Sequence, residues 1–312
     1  MNQNSHPCFP DFKPLEMADR PAIEAFTRQF DPYSDFCFST LTFYDCGNHT
    51  SWCWLNGNLV LRLNDSFGPG AYLTFLGCEQ ASATANTLIA YAQRTDCSPV
   101  LWRVPDVAAR AIARESDGLQ IEEDRDGFDY IYLTEQIARL EGSALHDLRR
   151  DVSRFERRHP HHRFVQFDLG DTATHALLRP AISAWQSNKS ATGTMQNYCR
   201  ALETCLRDAR HFDLLCVGVV IGDVLAGFLI NERIREGWFI NHFGATNPEF
   251  TGLSAWLYHR MAGCGMKLGC IHSNRQEDLG DPGLRRFKMK CAPSGFLRKF
   301  SIRRKEVTSV PE

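Results

Sequence analysis

Between Leu214 and Ile230 the sequence reads LLCVGVVIGDVLAGFLI, seventeen residues carrying one charge. A helix needs about 20 apolar residues to cross a bilayer. Here Gly222-Asp223 cuts the run into two halves rich in Val and Ile, so it predicts a buried β-hairpin, with strands over Leu214 to Ile221 and Val224 to Arg233. Trp238 to Ala245 adds a third strand after another tight turn. At 312 residues, the chain is long enough for two domains that each bury a core.

The remaining patterns place helices around such strands. In the first half, a capped helix over Asp19 to Phe30 is followed by strands at Trp52 to Leu55 and Leu59 to Leu63, which flank Asn56-Gly57. Both turn residues tolerate positive φ, which signals a type I′ hairpin. Ala71 to Leu76 forms a third strand, then come a helix (Gln80 to Arg94), a strand (Val100 to Val104), a helix (Asp106 to Arg114) and two strands (Leu119 to Glu122, Phe128 to Leu133). The second half opens with a helix from Ser143 to Arg158 and a strand at Phe164 to Phe167. Helices over Asp171 to Gln186 and Thr194 to Arg210 lead into the three-strand meander. A helix from Gly252 to Cys264, a strand at Leu268 to Ile271, a helix opening at Asp281-Pro282 and a strand at Phe296 to Ile302 complete it. Both halves follow one order: helix, three antiparallel strands, helix, strand, helix, one or two strands. Such units are α+β. That order is the Gcn5-related N-acetyltransferase (GNAT) one, and the expected architecture is a tandem of GNAT-like domains over residues 12–135 and 143–305, each a largely antiparallel sheet flanked by helices.

Charge is unevenly spread. The net charge is −2, yet Arg285 to Lys305 holds nine Lys/Arg and no Asp/Glu, and His146 to Arg163 holds six Arg against three acids. Clustered cations of this kind suit a polyanionic partner. In the helix capped by Asp281, a stripe of Leu284, Phe287 and Cys291 predicts a buried face, with Arg285 and Lys288 along its edge and Arg286 and Lys290 turned to solvent. The opening MNQNSHPCFPDF has no apolar run behind a basic start, so no signal peptide is expected and the chain reads as cytoplasmic. None of the twelve cysteines stands in a Cys-x-x-Cys pair, so most are expected to be buried thiols. The tract His159-Pro-His161-His162 lacks neighbouring carboxylate or thiol ligands and reads as a polar helix end; neither a metal nor another cofactor is indicated.

Three segments carry a family resemblance: IEEDRDGFDYIYL at 121–133, LHDLRRDVSRFERRHP at 145–160, and NRQEDLGDPGLRRFKMKCAP at 274–293 with its Gly-Leu-Arg-x-Phe-Lys centre. Together they resemble soluble relatives of the phosphatidylglycerol lysyltransferase C-terminal domain. The resemblance implies a tandem GNAT-like fold and transfer of an amino acid from aminoacyl-tRNA to an amine or hydroxyl acceptor, whether lipid head group, peptide or small molecule. On that reading Lys288, Arg285 and Asp281 are the catalytic candidates. Arg149, Arg150, Arg154, Gly252, Ser254, Arg286 and Lys290 are candidates for holding the donor, and His242, Glu277, Asp278 and Arg275 for the acceptor.

Local sequence also allows plainer roles. Arg285 and Lys288 read equally as solvated cations at a core edge, Asp281 as a helix cap, and Glu277 and Asp278 as loop carboxylates. An acyl-coenzyme A N-acyltransferase is the alternative, since the fold is shared. Its phosphate loop, Arg/Gln-x-x-Gly-x-Gly/Ala, is met by Glu249-Phe250-Thr251-Gly252-Leu253-Ser254, where Gly252 and Ser254 fit but Glu249 sets a negative charge beside the anion. A non-catalytic RNA-binding module is a third reading, with little support because Trp52, Trp54, Trp102 and Trp238 lie in strand patterns that read as core.

Overall fold

The computed structural model describes residues 6–45, 50–65, 70–115, 118–187 and 193–305. Residues 1–5 of the start read above, and Cys46, lie outside the described residues. The chain divides into two compact units, Met1–Phe128 with Leu297–Glu312, and Asp129–Phe296.

The first unit contains β1 (Lys13–Pro14), α1 (Arg20–Thr27), α2 (Phe38–Phe43), β2 (Ser51–Leu55), β3 (Asn58–Asp65), β4 (Gly70–Leu76), α3 (Ala81–Ala92), β5 (Leu101–Pro105), α4 (Asp106–Glu115) and β6 (Leu119–Glu123). The β2–β3 turn takes positive φ at Asn56 (51°) and Gly57 (77°), as its sequence predicts. Strands β1 to β4 form one antiparallel sheet in chain order. Val60, Phe75, Leu88, Val104 and Ile302 lie in its core.

The second unit contains β7 (Asp129–Leu133), α5 (Thr134–Arg139), α6 (His146–Arg158), β8 (Arg163–Phe167), α7 (Thr172–Ser187), α8 (Gly193–Asp208), β9 (Leu214–Ile221), β10 (Val224–Arg235), β11 (Trp238–Thr246), α9 (Leu253–Lys267), β12 (His272–Asn274), α10 (Pro282–Lys290) and β13 (Gly295–Leu297), after which β14 (Lys299–Arg304) returns to the first unit. Among the described residues its sheet runs β13-β7-β12-β11-β10-β9-β8. The apolar run from Leu214 to Ile230 lies in the β9–β10 hairpin, with Val224 opposite Ile221. No helix among the described residues is long and apolar enough to cross a membrane.

The units part differently from the boundaries expected on sequence. β7 pairs with β12 (Tyr132 opposite Ser273), so the last strand of the amino-terminal half joins the second sheet. β14 lies between β5 and β6, with Phe300 opposite Val104 and Ile302 opposite Ile121. Each half therefore gives a strand to the other half's unit. The fold is α+β and tandem GNAT-like, with β7 and β14 exchanged. The strand expected at Leu268 to Ile271 forms instead at His272–Asn274, because α9 runs on to Lys267 and Gly269 turns the chain at φ 76°.

Candidate active site

β11 and β12 are parallel neighbours, paired from Trp238 opposite His272 to Ile240 opposite Asn274. Beyond Ile240, β11 continues to Thr246 while β12 ends, so the strands part like a fork. Gln276 bridges the opening by donating its side-chain amide to the carbonyl of Asn241 at 2.7 Å. The family-like motif folds onto this point. Asp281 caps α10, its Oδ1 accepting from the Leu284 N–H at 2.8 Å, and Pro282 occupies the first turn.

The face that α10 buries is rotated from the expected stripe. Leu284 is 38% exposed, whereas Lys288 is 6% exposed and Cys291 is fully buried. Lys288 points inward because three acceptors wait for it: its ammonium donates to the carbonyl oxygens of Arg275 (2.6 Å), Gln276 (3.0 Å) and Glu277 (2.5 Å), and lies 5.3 Å from the centre of the Tyr130 ring. Burial lowers its pKa to about 8, against the raising influence of Glu277, Asp129 and Asp278.

Arg285 is engaged as well. Its Nε and Nη2 donate to the two oxygens of Asp278 at 2.8 and 2.6 Å, the paired fork geometry of a guanidinium on a carboxylate. Asp278 also accepts from the Tyr130 hydroxyl at 2.5 Å and the Gly280 N–H at 2.9 Å. Burial works to raise its pKa, but these donors outweigh that and hold it below the usual carboxylate value. Asp278 is thus a buried brace and not a loop carboxylate in water.

Arg275 is 5% exposed, its guanidinium carbon 4.2 Å from the centre of the Tyr132 ring and 4.1 Å from that of Tyr258. The Tyr132 hydroxyl donates to the Lys288 carbonyl at 2.9 Å, and Tyr258 donates to Asn241 Oδ1 at 3.0 Å. Lys288, Arg285, Arg275, Glu277 and Asp278 therefore converge on one loop at the end of β12, floored by Tyr130 and Tyr132. The two tyrosines are two apart on β7 and so share a face. Their Tyr-x-Tyr spacing in DYIYL was the available signal, but nothing in the sequence assigned it to this sheet.

Other candidates are placed elsewhere or are bound to framework. His242 Nε2 lies 2.8 Å from Glu232 Oε2, both side chains buried, at an irregularity where β10 and β11 shift register. Gly252 precedes α9 with φ 91°, and a Cβ there would lie 2.3 Å from the carbonyl oxygen of Asp151, so glycine is needed for α9 to approach α6. Ser254 Oγ is 2.8 Å from Thr246 Oγ1, and Glu249 is tied to Asn247. Arg149 donates to the carbonyls of Leu140 and Gly142, joining α6 to the chain before it.

The cation-rich segments do not stay free. Lys290 bonds Asp151, Arg154 lies 3.5 Å from the same carboxylate, and Arg150 pairs with Asp147 at 3.2 Å. Arg298, Lys299 and Arg303 belong to the first unit, on Glu123, Asp35 and Glu122. The run of nine cations is thus split between units and largely neutralised, so it is not the single anion-binding patch expected from its charge. Arg286, Arg150 and Arg154 retain exposure on α10 and α6, which the Lys290–Asp151 contact links. His159 and His162 pack tilted or edge-on in an aromatic cluster with Phe155, Trp256 and Phe250.

A sheet forked between parallel β11 and β12, with α9 joining them, belongs to a GNAT-like fold. The chain belongs to the family described as phosphatidylglycerol lysyltransferase, C-terminal, whose pattern it matches over residues 27–303. Among solved structures it is similar to a conserved protein of unknown function from Bacteroides thetaiotaomicron VPI-5482 (23% identity, TM-score 0.79, covering 94% of this chain and 99% of that one). It is also similar to the C-terminal domain of a protein named as a lysylphosphatidylglycerol synthetase, from Agrobacterium fabrum (10%, 0.64, 93% and 92%). The protein titled L-PGS, from Bacillus licheniformis, matches at 15% identity and TM-score 0.60, with 93% of each chain covered. No curated protein matches the sequence.

Proposed function

We propose that the protein is an aminoacyltransferase that moves an amino acid from aminoacyl-tRNA to an amine or hydroxyl acceptor: a lipid head group, a peptide or a small molecule. The observation that carries this reading is the convergence of the family's carboxy-terminal motif on the forked end of β11 and β12, where Lys288 gathers three carbonyls of the loop that crosses the opening. Family membership supports a transferase, and the lysyl group in the names of the relatives supports an amino acid as the group moved.

In the proposed reaction the acceptor nitrogen or oxygen attacks the ester carbonyl, a C–N or C–O bond forms, and the ester bond to the terminal ribose breaks. The ribose oxygen takes up the proton that the acceptor loses. Lys288 acts as a positioning residue, because its ammonium fixes the loop Arg275 to Glu277 beside the fork. Arg286 on α10, with the exposed but acid-paired Arg150 and Arg154 on α6, would meet the phosphates of the donor, and Glu277 and Arg275 flank the acceptor side. Asp281, Arg285 and Asp278 serve as cap and brace, and Gly252 and Ser254 as packing for α9.

The test is to incubate the protein with tRNA carrying labelled amino acids and follow label into amine and hydroxyl acceptors, with acetyl-coenzyme A as the comparison donor. Transfer from charged tRNA is expected. Faster turnover of the thioester would overturn the reading.

A further inference from the structure

Beyond Ile240, β11 has lost β12 as a neighbour, yet its outer edge is not left open at Asn241 and Gly244. The Tyr198 hydroxyl, from α8, donates to the Gly244 carbonyl at 3.0 Å and accepts from the Gly244 N–H at 2.7 Å. One hydroxyl thus uses both its donor and its acceptor capacity on one residue. Gly244 stands opposite Leu229 of β10 and turns both backbone groups to Tyr198. Three residues earlier, the Asn241 carbonyl takes the Gln276 amide. An unpaired strand edge pairs with any extended chain that carries amides. At Asn241 and Gly244 this edge is taken up by the protein's own side chains.

The plug is also held in place. The Tyr198 ring lies 5.0 Å from Trp185 of α7 and 5.3 Å from Phe243 of β11 at 77°. An incoming chain must break two hydrogen bonds and displace a ring packed on two others before it can pair with β11.

We infer that Tyr198 is a specificity-determining residue that bars donors with a linear amide-bearing arm, such as the pantetheine arm of coenzyme A, from the β11 edge. A donor whose acyl group sits on a ribose has no such arm and does not need this edge. Glu249, at the turn before α9, works in the same direction by opposing a phosphate there. The inference gives the proposed transferase its donor preference, but its test does not depend on transfer being observed.

Titration calorimetry with coenzyme A and with pantetheine, on the wild type and on Tyr198→Phe and Tyr198→Leu, decides the matter. The wild type is expected to bind neither probe more tightly than about 1 mM. Tyr198→Phe keeps the ring but frees both Gly244 groups, and is expected to bind pantetheine at least about tenfold more tightly than the wild type. Tight binding by the wild type, or no gain in variants that melt cooperatively, would overturn the inference. Should the variants not fold, hydrogen exchange at the Gly244 amide of the wild type serves: coenzyme A is expected to leave it unchanged, and any change on adding the ligand refutes the plug. Absence of transfer from charged tRNA would count against the proposed function alone and leave the binding result standing.

Discussion

The ammonium of Lys288 donates to the carbonyl of Arg275 at 2.6 Å, while the guanidinium of Arg275 lies over the rings of Tyr132 and Tyr258. One cation thus steadies the backbone of the other. Because the native pKa of Lys288 is lowered from 10.5 to about 8, the unfolded chain holds this proton more tightly than the native one. Burial of the charged form therefore costs about 3 kcal/mol below pH 8. That cost fades as pH rises from about 8 to 10.5, so this residue's contribution to stability grows across the window. Comparing thermal melts of wild type and Lys288→Met over that range should show the wild type gaining on the variant. A constant gap would contradict the lowered pKa.

Arg285→Ala leaves Asp278 buried without its bidentate partner, and should destabilise the second unit by about 3 kcal/mol. A free edge cation would cost much less, so the size of the loss in urea unfolding separates the two readings. Because the Asp278 pKa is held down in the native state, its contribution is present above pH 3.8 and is lost as pH falls through the native value. Arg285→Ala should flatten that acid limb.

Asp281→Ala removes a helix cap. About 1 kcal/mol of stability should be lost, and transfer by the folded protein should be unchanged at a temperature well below its melt. A fall in transfer rate at constant acceptor KM would instead return Asp281 to the chemistry.

Gly252→Ala places a Cβ against the Asp151 carbonyl at a positive φ, and should cost at least about 2 kcal/mol with or without any ligand present. A variant that melts like the wild type would show that α9 can move away from α6.

Much of the framework was legible. Asn56-Gly57 announced its turn, Gly222-Asp223 split the long apolar run, and Asp281-Pro282 marked the start of α10, because each depends on backbone preferences a few residues wide. The site was legible only as a neighbourhood. The Leu284, Phe287, Cys291 stripe pointed to one face of α10, but the carbonyls of Arg275 to Glu277 drew Lys288 inside and left Leu284 out. Local periodicity does not record an acceptor that arrives from another segment. The cation count misled for the same reason: Asp35, Glu122, Glu123 and Asp151 are far from those cations in sequence and adjacent in space. Tyr198 carried no signal at all, since a tyrosine in an amphipathic helix reads as packing.

The exchange of β7 and β14 bears on how such a protein can be cut, made or rebuilt. Cleavage in the segment after α5 would strand β7 on the wrong fragment, remove Tyr130 and Tyr132 from beneath Lys288, and leave β12 with a bare edge. The amino-terminal fragment would meanwhile lack the filler between β5 and β6 until β14 had been synthesised. Neither half is a separable module, and any recombination that swaps one must carry its partner's borrowed strand along with it.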